Sequence, residues 1–298
     1  VSGFILATAA YPVEQVPDWD AYAAKIARWV AEAADGGAGL ALFPEYAGME
    51  LTALDPDTVE DLHGSIAALG GLVERVDALH AELAVRHGIH ICAGSLPVRE
   101  ADGVFRNHAR LFAPSGKMGT QRKIVMTRFE REEWNIGGGA PLSVFDTDLG
   151  RIGIAICYDV EFPLLVRAQA EAGATLILAP SATDSLHGYH RVRVGAQARA
   201  LENQCYLAQA PVVGEAEWTP SLGISHGAAG IYGPPDLGFP ADGVVAMGAM
   251  DAPGWVFGEI DPAKVARVRA EGAVFNHRHW DEQGARVTLP AVEVVELR

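Results

Sequence analysis

The sequence predicts an α/β protein of one domain, a two-sheet sandwich with helices outside. Three observations carry this. Short apolar, β-branched runs alternate with amphipathic helical patterns along most of the 298 residues. The two halves echo one another: Ala38-Gly39-Leu40-Ala41-Leu42-Phe43-Pro44-Glu45 and Ala174-Thr175-Leu176-Ile177-Leu178-Ala179-Pro180-Ser181 share small residues, a buried strand, a proline and a polar residue in that order. Apolar residues make up 49% and charged residues 20%, enough to fill a large core and still coat a surface.

Residues 4–8 read as a first buried strand. Over 18–34, Tyr22, Ile26, Trp29, Val30 and Ala33 fall on one helical face, and Asp35-Gly36-Gly37 stops the helix. Residues 39–43 form the next strand, ending at Pro44-Glu45. Leu72, Val76, Leu79 and Leu83 mark another helix, closed by His87-Gly88 and followed by a strand at 89–94. Turn signals at Asp102-Gly103 and Ser115-Gly116-Lys117 set off strands at 105–113 and 118–123. The second half runs strand 152–156, helix 163–172, strand 175–179, a long helix around 187–203 and strand 206–213. Shorter strands follow near 228–232 and 256–260. No composition break marks a linker, so 1–262 is expected to be one domain and 263–298 a C-terminal extension. The extension is expected to pack on the domain or a partner subunit, with Asn276-His277-Arg278-His279-Trp280 as the arm.

A formal charge of −15 excludes a phosphate-tracking nucleic-acid binder. No run approaches eighteen apolar residues, so no membrane span is expected. The start, Val1-Ser2-Gly3-Phe4, lacks the basic segment of a signal peptide and also an initiator Met. Only Cys92, Cys157 and Cys205 are present, an odd number without a C-x-x-C pair, which points to a reducing cytoplasm rather than a disulfide framework. His277 and His279 lack partners at metal-site spacing, so no metal is expected.

The chemistry concentrates at strand ends. Cys157 follows the run Arg151-Ile152-Gly153-Ile154-Ala155-Ile156 and precedes a helical pattern opening near Phe162-Pro163. A thiol at such a junction is lifted into a cleft, and the oncoming helix N-terminus is expected to favour the thiolate, the attacking species. Glu45, beyond strand 39–43, would emerge at the carboxyl edge of a sheet, where ligands of α/β proteins gather. Lys123 ends the strand 118–123. Attack on an unactivated amide or nitrile needs a nucleophile, a proton handler and positive charge for the developing anion, and Cys157, Glu45 and Lys123 can supply these. The backbone N–H of Tyr158 would be a second donor to that anion. Each residue also has a plainer reading: a buried structural thiol, a loop carboxylate and a solvated lysine. A papain-like Cys–His pair is open on composition but lacks that family's local signature.

The chain resembles the nitrilase superfamily of carbon–nitrogen hydrolases, whose Glu, Lys and Cys come in this order. The likeness rests on F-P-E-Y at 43–46, Q-R-K at 121–123, G-I-A-I-C-Y-D at 153–159, F-P at 162–163 and A-R-A-L-E-N-Q at 198–204. It spans about residues 4–262. It implies a four-layer α-β-β-α sandwich and a homodimer or larger homo-oligomer. It also implies Glu45 as general base, Cys157 as nucleophile, Lys123 as anion stabiliser and no cofactor. The implied reaction is hydrolysis of a small-molecule amide through a cysteine thioester. N-carbamoyl amines, nitriles, and a catalytically idle assembly relative stand as alternatives. The family's second glutamate falls among Glu130, Glu132 and Glu133; counting back from Gly137-Gly138-Gly139 favours Glu132 as the support of Lys123. Glu133, Trp134, Glu161 and Ser181 are the expected substrate contacts. Many members carry arginine where this chain has Glu161, which would face a cationic or hydrogen-bond-donating substrate group or else pair with Arg167 or Arg191.

Overall fold

The computed structural model describes residues 2–283 and 291–297. The first half runs β1 (Phe4–Pro12), α1 (Trp19–Asp35), β2 (Ala38–Leu42), α2 (Leu62–Ala68), α3 (Val73–His87), β3 (His90–Arg99), β4 (Phe105–Phe112) and β5 (Met118–Arg122). Then come α4 (Arg128–Glu132), β6 (Ile136–Gly137), β7 (Leu142–Thr147), β8 (Gly150–Ile154), α5 (Pro163–Glu171), β9 (Leu176–Ser181), α6 (Leu186–Asn203) and β10 (Tyr206–Ala216). The chain finishes with β11 (Gly223–Ser225), β12 (Gly230–Tyr232), β13 (Val244–Met247), β14 (Gly254–Ile260), α7 (Pro262–Glu271) and β15 (Val292–Glu296).

Pairing sorts the strands into two sheets. One runs β14-β1-β2-β3-β4-β5, with β1, β2 and β3 parallel. The other runs β15-β7-β8-β9-β10-β12-β13, with β8, β9 and β10 parallel. They touch edge to edge where β1 meets β10, at Tyr11–Val212 and Pro12–Val213. Between the sheets, Leu6, Leu40 and Leu111 pack against Ile154, Leu178 and Ala208. The alternate residues Ala7, Ala41 and Ile91 face Tyr22, Ile26 and Trp29 of α1 and Val76 and Leu83 of α3. On the far side, Ile177, Ala179 and Leu207 face Val166 of α5 and Ala196 and Ala200 of α6. Both faces of the central strands are therefore buried, which is why they read as unbroken apolar runs. The layers are α-β-β-α.

Local chemistry sets the ends of the elements. Asp18 caps α1 by accepting from Ala21 N at 2.8 Å, and Gly88, with φ of 65°, closes α3. Beyond Glu271, the C-terminal segment makes contacts with its own domain: Arg167 stacks over Trp280 at 4.7 Å and donates to His277 O at 2.9 Å. Helix α7 buries Val265 and Val268, and β15 adds a parallel edge to β7. Residues 284–290, within the expected extension, lie outside the described residues.

One glycine decides how β2 ends. Gly94 in β3 has φ of 69°, and a Cβ there would sit 1.9 Å from the carbonyl oxygen of Pro44. The bare backbone lets Ser95 N donate to Pro44 O at 3.2 Å, while Ser95 Oγ accepts from Tyr46 N at 3.1 Å. These bonds straddle Glu45. Gly94→Ala combines an unfavourable φ with a backbone clash. It is expected to cost about 1–3 kcal/mol, or more if β2 must shift. A lowered urea midpoint with an unchanged m-value checks this.

Candidate active site

The carboxyl ends of β2 and β8 and the end of β5 converge on one cleft of about 760 Å³. Glu45, Lys123, Glu130 and Cys157 all line it. Lys123, 1% exposed, is held by its backbone: its N–H donates to Asn107 O at 2.8 Å, and its carbonyl accepts from Gly139 N at 2.9 Å. Its Nζ donates to Glu45 Oε1 at 2.7 Å and to Glu130 Oε2 at 2.6 Å.

Cys157 opens a 3₁₀ turn, Cys157–Glu161, with φ of 46°. Such left-handed backbone is costly for a side chain bearing Cβ, and it aims the thiol into the cleft. Asp159, in the same turn, accepts from Ile124 N at 3.1 Å and Val125 N at 2.8 Å, so the nucleophile's turn and the lysine's loop are tied together. The loop after β9 supplies the other wall. Ala182 N donates to Glu45 Oε2 at 3.1 Å, and the Cys157 thiol donates to Ala182 O at 3.7 Å. The thiol and the Glu45 carboxylate share this cleft and act on each other electrostatically.

The glutamate on Lys123 is Glu130, not the favoured Glu132. Thr127 caps α4 in a capping box, which turns Glu130 inward: its Oε2 accepts from Thr127 N and Oγ1, each at 2.9 Å, and its Oε1 from Tyr46 OH at 2.5 Å. Glu132 points to solvent, 2.7 Å from Arg128 Nε, and Glu133 is exposed and outside the cleft. The signal was present in Thr127-Arg128-Phe129-Glu130, a T-x-x-E sequence. Ser181 is also corrected. It is still part of β9, and its hydroxyl donates within the sheet to Ala179 O and Ala210 O. Its neighbour Ala182 makes the cleft contacts, through backbone alone. Trp134, Tyr158 and Glu161 do line the cleft. Glu161 sits 3.6 Å from Arg191, while Arg167 turns to Glu171.

Asn107 was missed altogether. Its Nδ2 donates to Glu45 Oε1 at 2.9 Å, and its carbonyl holds Lys123 N. A wholly buried asparagine within the apolar pattern of β4 was the available clue.

Burial and charge set different proton affinities. Burial raises the Glu45 carboxyl and Glu130 adds to this; Lys123 only partly offsets them. Burial acts the same way on Glu130, but the charge and hydrogen bond of Lys123 win and hold it below its ordinary range. Burial alone would lower Lys123, yet the charges of Glu130 and Glu45 raise it, so it stays an ammonium. The thiol departs from the expected thiolate: burial, then Glu45, push Cys157 well up. The 3₁₀ turn separates it from α5, which starts only at Pro163. A neutral thiol beside a carboxylate of raised affinity is arranged for proton transfer from sulfur to Glu45. Among the described residues, no group of three or more His, Cys, Asp or Glu is set to hold a metal, and no helix is long and apolar enough to cross a membrane.

Comparison with known proteins agrees with this geometry. The family model described as carbon-nitrogen hydrolase matches residues 6–270. The chain belongs to the carbon–nitrogen hydrolase family. It is 34% identical over 264 residues to the probable hydrolase YhcX of Bacillus subtilis, covering 89% of this chain and 51% of that protein. It thus spans about half the length of that relative. It is 30% identical over 285 residues to the human deaminated glutathione amidase, covering 91% and 82% of the two chains. Among solved structures, an amidase from Nesterenkonia sp. is 26% identical with a TM-score of 0.66, covering 94% and 97%. A glutamate mutant of that amidase carries the acetamide moiety of fluoroacetamide on its active-site cysteine.

Two substitutions should move the acid limb of the protein's pH–kcat/KM profile for amide hydrolysis in opposite directions. Glu130→Gln removes a negative neighbour that raises Glu45, so the limb shifts to lower pH while kcat falls by roughly a hundredfold. Asn107→Leu removes a donor to the ionised Glu45, so the limb shifts to higher pH.

Proposed function

We propose that the protein hydrolyses a small-molecule amide to an acid and ammonia or an amine, through a thioester on Cys157. The observation that carries this is the meeting of Glu45, Lys123 and Cys157 in one cleft, with a lysine buried between two carboxylates beside a thiol. In this reading Glu45 takes the thiol proton as sulfur attacks the amide carbon. Lys123 and the Tyr158 N–H then stabilise the oxyanion, and Glu45 returns the proton to the departing nitrogen. A water deprotonated by Glu45 next attacks the thioester, and the sulfur leaves with that proton. Glu130 takes no part in proton transfer; with four donors on its oxygens it keeps Lys123 charged and in place.

An amide is favoured over a nitrile by Cys157-Tyr158-Asp159, since sequences resembling true nitrilases show Cys-Trp-Glu there. The amidases among the relatives support the same choice. Small amides are the expected partners, with assembly into at least a dimer and a cytoplasmic setting as further elements of the proposal.

Ammonia release from a panel of amides, nitriles and N-carbamoyl compounds tests this reading. Amides should be turned over fastest, and Cys157→Ala should abolish turnover. Glu45→Gln should cut kcat by about a hundredfold or more. Because Glu45 is raised by burial, wild-type kcat/KM should increase with pH through a value above the ordinary carboxylate range. Full activity in Cys157→Ala would end the proposal.

A further inference from the structure

The cleft is far larger than the three reacting groups require. Its volume of about 760 Å³ lies in the range that encloses most of a drug-sized molecule, so substrate atoms beyond the amide are also held. Apart from Glu45, Lys123 and Glu130, Glu161 is the charged wall residue nearest the nucleophile along the chain, since the two bound one 3₁₀ turn. At about 2 Å rise per residue, their α-carbons lie roughly 8 Å apart along that turn. Its side chain is 23% exposed.

Among the described residues its one ion-pair partner is Arg191. Arg191 Nε stands 3.6 Å away, a long contact on a side chain 61% exposed, so solvent screens the pair. Desolvation of Glu161 outweighs what Arg191 returns, and the carboxyl is raised accordingly. The other arginine on the wall, Arg128, is 87% exposed and bound to Glu132 outside the cleft. Asp184 adds a further wall carboxylate, and Phe129 and Tyr158 add aromatic rings, whose faces attract cations. A ligand ammonium in the cleft would therefore gain more from Glu161 than the exposed Arg191 does.

We propose that the preferred substrates are amides carrying an ammonium group a short aliphatic spacer away from the carbonyl, with Glu161 binding that ammonium. The amide half rests on the function proposed above; the ammonium half does not. Glu161 is then the specificity-determining residue, and Arg191 competes with the substrate for it.

Three amides of matched length, ending in an ammonium, a methyl or a carboxylate, test the turnover side. Wild type should prefer the ammonium over the methyl compound by about tenfold in kcat/KM, the worth of one modest charge-assisted contact. Glu161→Gln should erase that ratio, Glu161→Lys should reverse it in favour of the carboxylate, and Arg191→Gln should widen it. A second measurement does not depend on turnover: propylammonium should slow alkylation of Cys157 by iodoacetamide in wild type, and not in Glu161→Gln. Protection without hydrolysis of any amide would sustain the ammonium site while removing the amide reading. Preference for the carboxylate compound, better protection by propionate, or a ratio unmoved by Glu161→Gln would overturn the ammonium site and leave the amidase standing.

Discussion

An ammonium group with almost no access to water is tolerable only when oppositely charged partners and hydrogen bonds replace what water supplied. Lys123 meets that condition with Glu45 on one side and Glu130 on the other. Each of these groups would be destabilising alone. The loops that carry them, after β2, after β5 and at the start of α4, must therefore arrive together. Gly94, Ser95, Asn107, Asp159 and the Thr127 cap each hold one of these loops or tie it to a neighbour. The fold delivers strand ends to one place, and this charge arrangement fixes their spacing.

The two carboxylates then differ by their surroundings rather than their chemistry. Glu130 is saturated by donors from a helix cap, a tyrosine and the lysine, and is pulled toward ionisation. Glu45 shares the lysine but takes its remaining bonds from one side-chain amide and one backbone N–H, leaving it room to accept a proton. Two identical groups on one cation are thereby given different proton affinities, as the proposed mechanism requires of a fixed counter-charge and a base.

Much of this was legible in the sequence because it depends on local signals. Asp18 and Gly88 announced the limits of their helices, and the apolar runs announced strands buried on both faces. Glu45, Lys123 and Cys157 stood out by residue type at strand ends. What escaped was set by direction rather than identity. Distance from a glycine turn selected Glu132, whereas capping geometry turned Glu130 inward. Ser181 belongs to the strand by its pleat, and the contacts made by Ala182 use atoms every residue possesses. Strand β15 was unreadable because it joins β7 from a hundred and more residues away, and only long-range pairing reveals it. The thiol's protonation was misjudged because helix polarity was weighed without the burial that overrides it.

The seam between the sheets has a further consequence. β1 and β10 meet over just two residue pairs, yet Glu45 and Lys123 belong to one sheet while Cys157 and Ala182 belong to the other. Neither half carries a working set of groups, although each has its own helices and much of its own packing. Any loosening that lets the layers slide apart would thus separate the four groups while most of the secondary structure, and the circular dichroism, stayed intact.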